Sequence, residues 1–168
     1  LFGRSLRTGP ITDPGVLQSA EKVFSSEFPF TAPVKVENVE PDENGVRVLY
    51  CNNEDSSIEE EVFEQVLAAT GRDPNLTELN LEQTSLKLDS RGIPVYNPLT
   101  MQCGNSPVFI AGDVNNNLTV LHEAADEGRI AGDNAGRFPD VREGRRSSPM
   151  TVVFTDPQMA VVGKTWKD

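Results

Sequence analysis

Residues 108–132 read VFIAGDVNNNLTVLHEAADEGRIAG, and this run constrains the fold more than any other in the chain. An apolar segment, Val108 to Ala111, ends on Gly112 and Asp113, crosses three asparagines and enters a helical pattern expected to begin near Leu118. A strand that delivers a carboxylate to a polar turn just before a helix N-terminus is a common way for an α/β protein to meet a ligand. It is equally the shape of an ordinary strand-turn-helix corner. The helix carries Ala124, Gly128, Ala131 and Ala135 on one stripe. That stripe is nearly bare, so the backbone is expected to pack close to a neighbour. Glu123, Asp126, Glu127 and Arg129 share the segment and exclude a membrane GxxxG helix.

Upstream, ITDPGVLQSAEKVFSSEF places Asp13 as a helix cap and Pro14 at the first helical position. Val16, Leu17, Ala20, Val23 and Phe24 are spaced along one face, which predicts an amphipathic helix. PVKVENV alternates Val34 and Val36, Asn44-Gly45 signals a tight hairpin, and VRVLY alternates Val46, Val48 and Tyr50, which predicts two antiparallel strands. A third apolar run, VLAATG at 66–71, either completes a three-stranded meander or joins a parallel sheet. The stretch RDPNLTELNLEQTSLKLDSRGIP is loop-rich, GRFPDVREGRRSSP reads as a helix end and a linker, and MTVVFTDPQMAVVG opens a new strand.

Composition limits the partners. At 168 residues, 37% of them hydrophobic, the chain has room for one ordinary domain or parts of two. Its 15 basic and 26 acidic residues leave a net charge of −11, which repels nucleic acid and anionic membrane, so neither is an expected partner. No run approaches the roughly 20 apolar residues that span a bilayer, and the chain reads as soluble. Cys51 and Cys103 are too few and too far apart for a disulfide framework or a zinc site, and read as plain thiols; no metal is expected. The opening LFGRS, without a methionine, is expected to mark a piece of a longer protein.

The corner at Asp113 has a definite chemical preference. An ionised carboxylate only accepts hydrogen bonds, so at a ligand site it favours hydroxyl donors or a cation and disfavours phosphate. Beside it, the helix start offers backbone N–H groups and the positive end of a dipole, which favour an acceptor that gains negative charge. A ligand carrying both hydroxyls and a reducible carbonyl satisfies the pair. A second reading, in which Asp113 merely caps the turn, fits the residues equally well.

Three segments resemble one family in register. VFIAGDVNNNLTVLHEAADEGRIAGDNA resembles the second flavin-binding segment of the pyridine nucleotide-disulfide oxidoreductases. VLAATGRDPN is similar to their glycine-containing turn beside the nicotinamide nucleotide, and VVFTDPQMAVVGKT resembles the first strand of their dimerisation domain. LHEAADEG, around His122, is most similar to the dihydrolipoamide dehydrogenases within the family.

The resemblance implies an α/β fold: a partial FAD/NAD(P)-binding Rossmann-like fold with a three-stranded antiparallel meander. It assigns residues 1–94 to the NAD(P)-binding domain, 95–147 to the FAD-binding domain and 148–168 to the start of the dimerisation domain. Asp113, with Gly112, corresponds to the aspartate that hydrogen-bonds the ribityl chain of FAD. The backbone of Thr119, Val120, Leu121 and His122 corresponds to the pyrimidine edge of the isoalloxazine, where a helix end stabilises negative charge on the reduced flavin. His122, the lone histidine, is thereby given a positional role, and no catalytic residue is assigned in this chain. Ala69, Thr70 and Gly71 are implied to line the nicotinamide nucleotide, and Val36 matches a more weakly marked contact. Gly3 stands where the family carries a glutamate for the adenosine ribose, and Arg4 and Arg7 follow it as cations able to pair with a 2′-phosphate.

The implied activity of the whole protein is electron transfer between dihydrolipoamide, or a related dithiol, a redox disulfide, FAD and NAD(P)+. That role belongs to cell redox homeostasis in a cytoplasmic homodimer with a dithiol/disulfide substrate. A glutathione or mercuric reductase type, and a non-catalytic nucleotide-binding or dimerisation module, stay open as alternatives. The family's two G-x-G-x-x-G turns and its redox-active C-x-x-x-x-C have no counterpart in these 168 residues, and the resemblance, which sets His122 in the flavin-binding segment, gives none to the family's terminal H-x-x-x-x-E pair. Cys51 and Cys103 cannot replace the redox pair, which needs closely placed thiols. The chain alone is therefore expected to be inactive and to retain neither cofactor.

Overall fold

The structure, a computed structural model, describes residues 1–5, 9–52 and 56–163. The chain divides into two compact units, Leu1–Thr70 with Met150–Asp168, and Gly71–Pro149.

The first unit opens with helix α1 (Pro14–Glu27), formed as the local signals require. The Asp13 Oδ1 accepts from the Val16 N–H at 2.9 Å, and Pro14 needs no partner in the first turn. The helix stops at Phe28, whose backbone turns extended. Ala20 and Phe24 are buried with Ile11 and Met159, and Leu17, Val153 and Val161 pack around them. Val16, expected on this face, is 49% exposed, because the inward stripe runs through Leu17, Ala20 and Phe24. Val153, Met159 and Val161 come from a hairpin of strands β4 (Met150–Val153) and β5 (Met159–Val162), so the new strand read at MTVVFTDPQMAVVG is two paired strands.

An antiparallel meander of β1 (Val34–Asp42), β2 (Gly45–Asn52) and β3 (Ile58–Phe63) completes the unit. The hairpin expected at Asn44-Gly45 turns one residue earlier, over Glu43 and Asn44, with Gly45 already paired to Asp42. Asp42 organises this turn: its Oδ1 accepts from the Asn44 N–H at 3.0 Å, and the Arg47 guanidinium beside it holds its carboxyl below the usual range. Gly45 has φ +143°, and a β-carbon there would stand 2.1 Å from the Phe63 carbonyl oxygen, so this position admits only glycine. Val48, Tyr50 and Val34 form the buried face, covered by Phe2, whose ring lies 4.4 Å from that of Tyr50 and 5.8 Å edge-on from that of Phe63.

The third strand is not the run the sequence points to. Residues 66–71 are irregular and exposed, with Leu67 at 92%, and IEEEVF takes the place beside β2. Cross-strand contacts explain the choice: the Tyr50 Oη donates to Glu59 at 3.0 Å, and Arg47 donates to Glu60 at 3.1 Å. Among the described residues nothing pairs with 66–71, and an apolar strand of a parallel sheet needs neighbours on its edges.

In the second unit, the segment at 108–111 is likewise not a strand. Phe109 makes one antiparallel bridge to Gln102, the Ile110 N–H donates to Met101 O at 3.0 Å, and the chain continues without a ladder. Single bridges of this kind also join Leu88 to Pro94 and Tyr96 to Cys103. Two apolar clusters hold the unit together: Ile93, Cys103 and Ile110, and Met101, Ile130 and Ala131. The latter two residues belong to helix α2 (Leu121–Arg137).

Candidate functional site

Gly112 and Asp113 stand at the head of a single 3-10 turn, Asp113–Asn115. Gly112 is buried at φ +78°, and a β-carbon on it would lie 3.4 Å from that of Ala124 on α2. The turn closes through the Asn115 N–H to Gly112 O and the Asn116 N–H to Asp113 O, both at 3.0 Å, with Asn116 in the left-handed region at φ +53°. This conformation suits asparagine and accounts for part of the triple-Asn run. The Asp113 side chain is exposed.

Helix α2 begins three residues beyond the expected Leu118, and its N-cap is Val120, which has no acceptor side chain. Asp113 therefore does not cap this helix. Thr119, Leu121 and His122 are exposed and Val120 is half-buried at the helix start, where backbone N–H groups project from the end. Gly112, Asp113 and residues 119–122 all lie in the second unit.

The bare stripe of α2 makes the close approach expected of it at Ala124, against Gly112, and is buried at Ala131, but not at its other two positions. Gly128 and Ala135 are exposed, and a β-carbon on Gly128 would meet nothing within 4 Å among the described residues. The inward stripe is rotated toward Glu123, Glu127, Ile130, Ala131 and Asn134, all buried. Sequence reasoning missed these two glutamates, although their spacing with Ile130 and Asn134 follows one helical face.

Burial of the glutamates is matched by Arg146. Its guanidinium donates to Glu123 Oε2 at 2.5 Å and to Glu127 Oε1 at 3.0 Å. Burial of Arg146 would lower its pKa, but the Glu123 hydrogen bond and both carboxylate charges outweigh it and raise the value. The other oxygen of Glu127 accepts from the Gly112 N–H at 2.7 Å and from Asn115 Nδ2 at 2.6 Å. Arg146 lies in a strap, residues 142–147, that runs against α2. Asn134 bonds both ways with the Arg142 backbone, Arg129 donates to Arg145 O at 2.6 Å, and the Ser147 N–H donates to Asp126 at 2.8 Å.

The nicotinamide-side candidates are more dispersed. Gly3 donates its N–H to Thr31 O at 3.0 Å and accepts from the Val34 N–H at 2.9 Å. A β-carbon on Gly3 would lie 3.1 Å from the Phe30 ring and from Ser5 O. Gly3 and the exposed Arg4 line a pocket of about 570 Å³ with Phe24, Phe28 and Phe30. Val36 is 45% exposed at the β1 bulge, opposite Tyr50. Ala69, Thr70 and Gly71 are exposed, with Gly71 at φ +112° and open space where a β-carbon would sit. Arg7 lies outside the described residues. Among those residues, no group of His, Cys, Asp and Glu is placed to hold a metal, and no helix is long and apolar enough to cross a membrane.

The family model described as pyridine nucleotide-disulphide oxidoreductase matches residues 11–128. The chain belongs to this family. Among its relatives in the pyridine nucleotide-disulphide oxidoreductases, a mercuric reductase of Staphylococcus aureus is 30% identical over 167 residues, covering 98% of this chain and 30% of that protein. A dihydrolipoyl dehydrogenase of Geobacillus stearothermophilus is 34% identical over 124 residues, covering 72% of this chain and 25% of that protein. The chain thus spans less than a third of the length of either. The solved structure of a copper(II) complex of the HOCl-induced flavoprotein disulfide reductase RclA from Escherichia coli superposes with a TM-score of 0.78 at 20% identity, covering 99% of this chain and 36% of that one. The fold is accordingly α/β, a partial Rossmann-like fold of the flavoprotein disulfide reductases with a three-stranded antiparallel meander.

Proposed function

We propose that this chain contributes flavin and nicotinamide contacts to a flavoprotein that transfers electrons between dihydrolipoamide, or a related dithiol, a redox disulfide, FAD and NAD(P)+. In this reading residues 1–94 belong to the NAD(P)-binding domain, 95–147 to the FAD-binding domain and 148–168 to the start of the dimerisation domain of a cytoplasmic homodimer. The observation that carries it is the exposed Asp113 carboxylate, in a turn held by buried groups and close in sequence to the start of α2.

The residues present fit the flavin. Asp113 caps neither its own turn nor α2, so its carboxylate is available to accept from ribityl hydroxyls. The start of α2, over Thr119, Val120, Leu121 and His122, offers N–H donors and a positive dipole end to the pyrimidine edge of the ring. FAD, when bound, supplies the two-electron chemistry that links a dithiol to a nicotinamide. Ala69, Thr70 and Gly71, without bulky side chains, let a nucleotide approach the backbone, and Gly3, Arg4 and Arg7 set the charge near the adenosine ribose. Titration of the full-length apoprotein with FAD tests the reading: Asp113→Asn weakens binding, and binding equal to the unaltered protein overturns the assignment.

A mercuric reductase type is the second reading, favoured by the Staphylococcus aureus relative matching along 98% of this chain. Dihydrolipoamide-dependent reduction of NAD+ by the full-length protein supports the first reading. Nicotinamide-dependent reduction of Hg(II) with no dihydrolipoamide turnover supports the second.

A further inference from the structure

Glu127 makes contacts on two sides of α2. One of its oxygens holds the Gly112 N–H and the Asn115 side chain, which together bracket Asp113, and the other meets Arg146 in the strap. Glu123 completes the set, so two carboxylates with side chains only 4% and 1% exposed share one guanidinium. Two buried anions one helical turn apart are costly without that cation. The favourable place for Glu127, and with it the place of Gly112, therefore depends on a residue 33 positions further along the chain from Asp113.

We propose that Glu127 and Arg146 are positioning residues for the flavin-ligand turn, fixing where Asp113 presents its carboxylate although neither is assigned a contact with the flavin. The inference rests on the reading of Asp113 as the ribityl ligand. Gly112 takes φ +78°, which favours glycine, and its N–H is bonded to Glu127, so a change at Glu127 reaches Asp113 through one peptide link. When Arg146 is lost, Glu127 must recruit water or turn outward, and the Gly112 N–H and Asn115 amide lose their shared acceptor. Support of this kind governs ligand geometry without direct contact, and a displacement of about 1 Å is enough to cost orders of magnitude in function.

The test titrates the full-length apoprotein with FAD, following flavin fluorescence, with the visible circular dichroism of the bound flavin as a readout of its setting. Far-ultraviolet circular dichroism monitors the fold. Arg146→Met is expected to weaken FAD binding about tenfold or more and to alter the flavin spectrum, Arg146→Lys to recover most of the affinity, and Arg145→Ala to change neither. Asn115→Ala removes one of the two bonds from the turn to Glu127 without altering charge, and is expected to weaken binding severalfold; it decides the matter if Arg146→Met does not fold. Folded Arg146→Met and Asn115→Ala proteins that bind FAD normally, while Asp113→Asn binds weakly, overturn the proposal and leave the ribityl assignment standing. Normal binding by Asp113→Asn overturns that assignment and the proposal with it.

Discussion

A β-carbon placed on Gly144 would lie 2.4 Å from Cγ1 of Ile130, and 2.7 and 2.8 Å from its Cγ2 and Cδ1 methyl carbons. Ile130 is 2% exposed in the cluster with Met101 and Ala131, so it could yield only by disturbing that packing. The strap thus crosses α2 at a point where only a glycine fits, pinned by the Gly144 N–H to Leu99 O at 2.8 Å. Gly144→Ala is expected to destabilise the second unit by about 1–3 kcal/mol through overpacking. Urea unfolding measures it. In a chain that carries Ile130→Ala, which removes all three of those carbons, Gly144→Ala should cost less, whereas additive effects of the two substitutions would show that the contact is not what matters.

Local signals and distant ones were not equally legible in the sequence. Helix α1 follows from Asp13, Pro14 and an apolar stripe within two turns, and β1 and β2 follow from alternation around a turn, all of which need only neighbouring residues. Strand β3 was hidden because its three consecutive glutamates mask the alternation, and its partners Tyr50 and Arg47 lie on another strand. The runs at 66–71 and 108–111 have the composition of buried strands, but an apolar strand is formed by neighbours, and no strand among the described residues flanks them. The corner around Asp113 was legible as a turn before a helix. The Glu127–Arg146 pair was not, because 19 residues separate partners that meet only through the tertiary fold.

The two thiols should differ in reactivity. Cys103 is 2% exposed between Ile93 and Ile110, and burial pushes its thiol pKa up, so both access and thiolate fraction are low. Cys51 on β2 is half-buried. Alkylation at neutral pH is expected to modify Cys51 first and Cys103 only after denaturant is added. Mass spectrometry of digested protein reads the order, and prompt native labelling of Cys103 would contradict it.

Acid should loosen the strap at a definite place. The Ser147 backbone N–H, together with its side-chain hydroxyl, bonds Asp126 and lowers its carboxyl pKa. A carboxylate with a depressed folded pKa contributes stability that is fully present above its unfolded value, about 3.9, and is lost as pH falls through the lower folded value. The Ser147 amide signal should therefore titrate with its midpoint below the unfolded value of the carboxyl. Asp126→Ala removes the step. A midpoint above pH 4 in nuclear magnetic resonance would show that the bond does not favour the charged carboxylate.

Flavin should bind this chain poorly when it stands alone. In the proposed reading Asp113 and the start of α2 address the ribityl and the ring, but the sequence has no G-x-G-x-x-G turn to take the phosphates. The 168-residue chain is expected to bind FAD weakly or not at all and to show no lipoamide reductase or diaphorase activity with FAD added. Yellow protein carrying stoichiometric flavin after purification, or turnover above a heat-killed control, would contradict this.

Cofactor choice is the last expectation, and it turns on Gly3. In the proposed reading Gly3 stands where the family carries a glutamate, which accepts from the 2′-hydroxyl of the adenosine ribose and repels a 2′-phosphate. Here the position has no side chain, and even a β-carbon would press against the Phe30 ring and Ser5 O at 3.1 Å, so a glutamate could enter only by moving Phe30. Without that carboxylate, Arg4, exposed beside the Phe30-lined pocket, and Arg7, which lies outside the described residues, are two permanently charged cations able to pair with a phosphate. The full-length protein is accordingly expected to accept or prefer NADP(H) more than typical lipoamide dehydrogenases do. Steady-state kinetics with both cofactors measure the preference. Arg4→Ala with Arg7→Ala should lower kcat/KM for NADP(H) and leave that for NAD(H) little changed, because only the former carries the 2′-phosphate. A strong preference for NAD(H) that survives both substitutions would show that these arginines are solvated and that Gly3 serves only the turn.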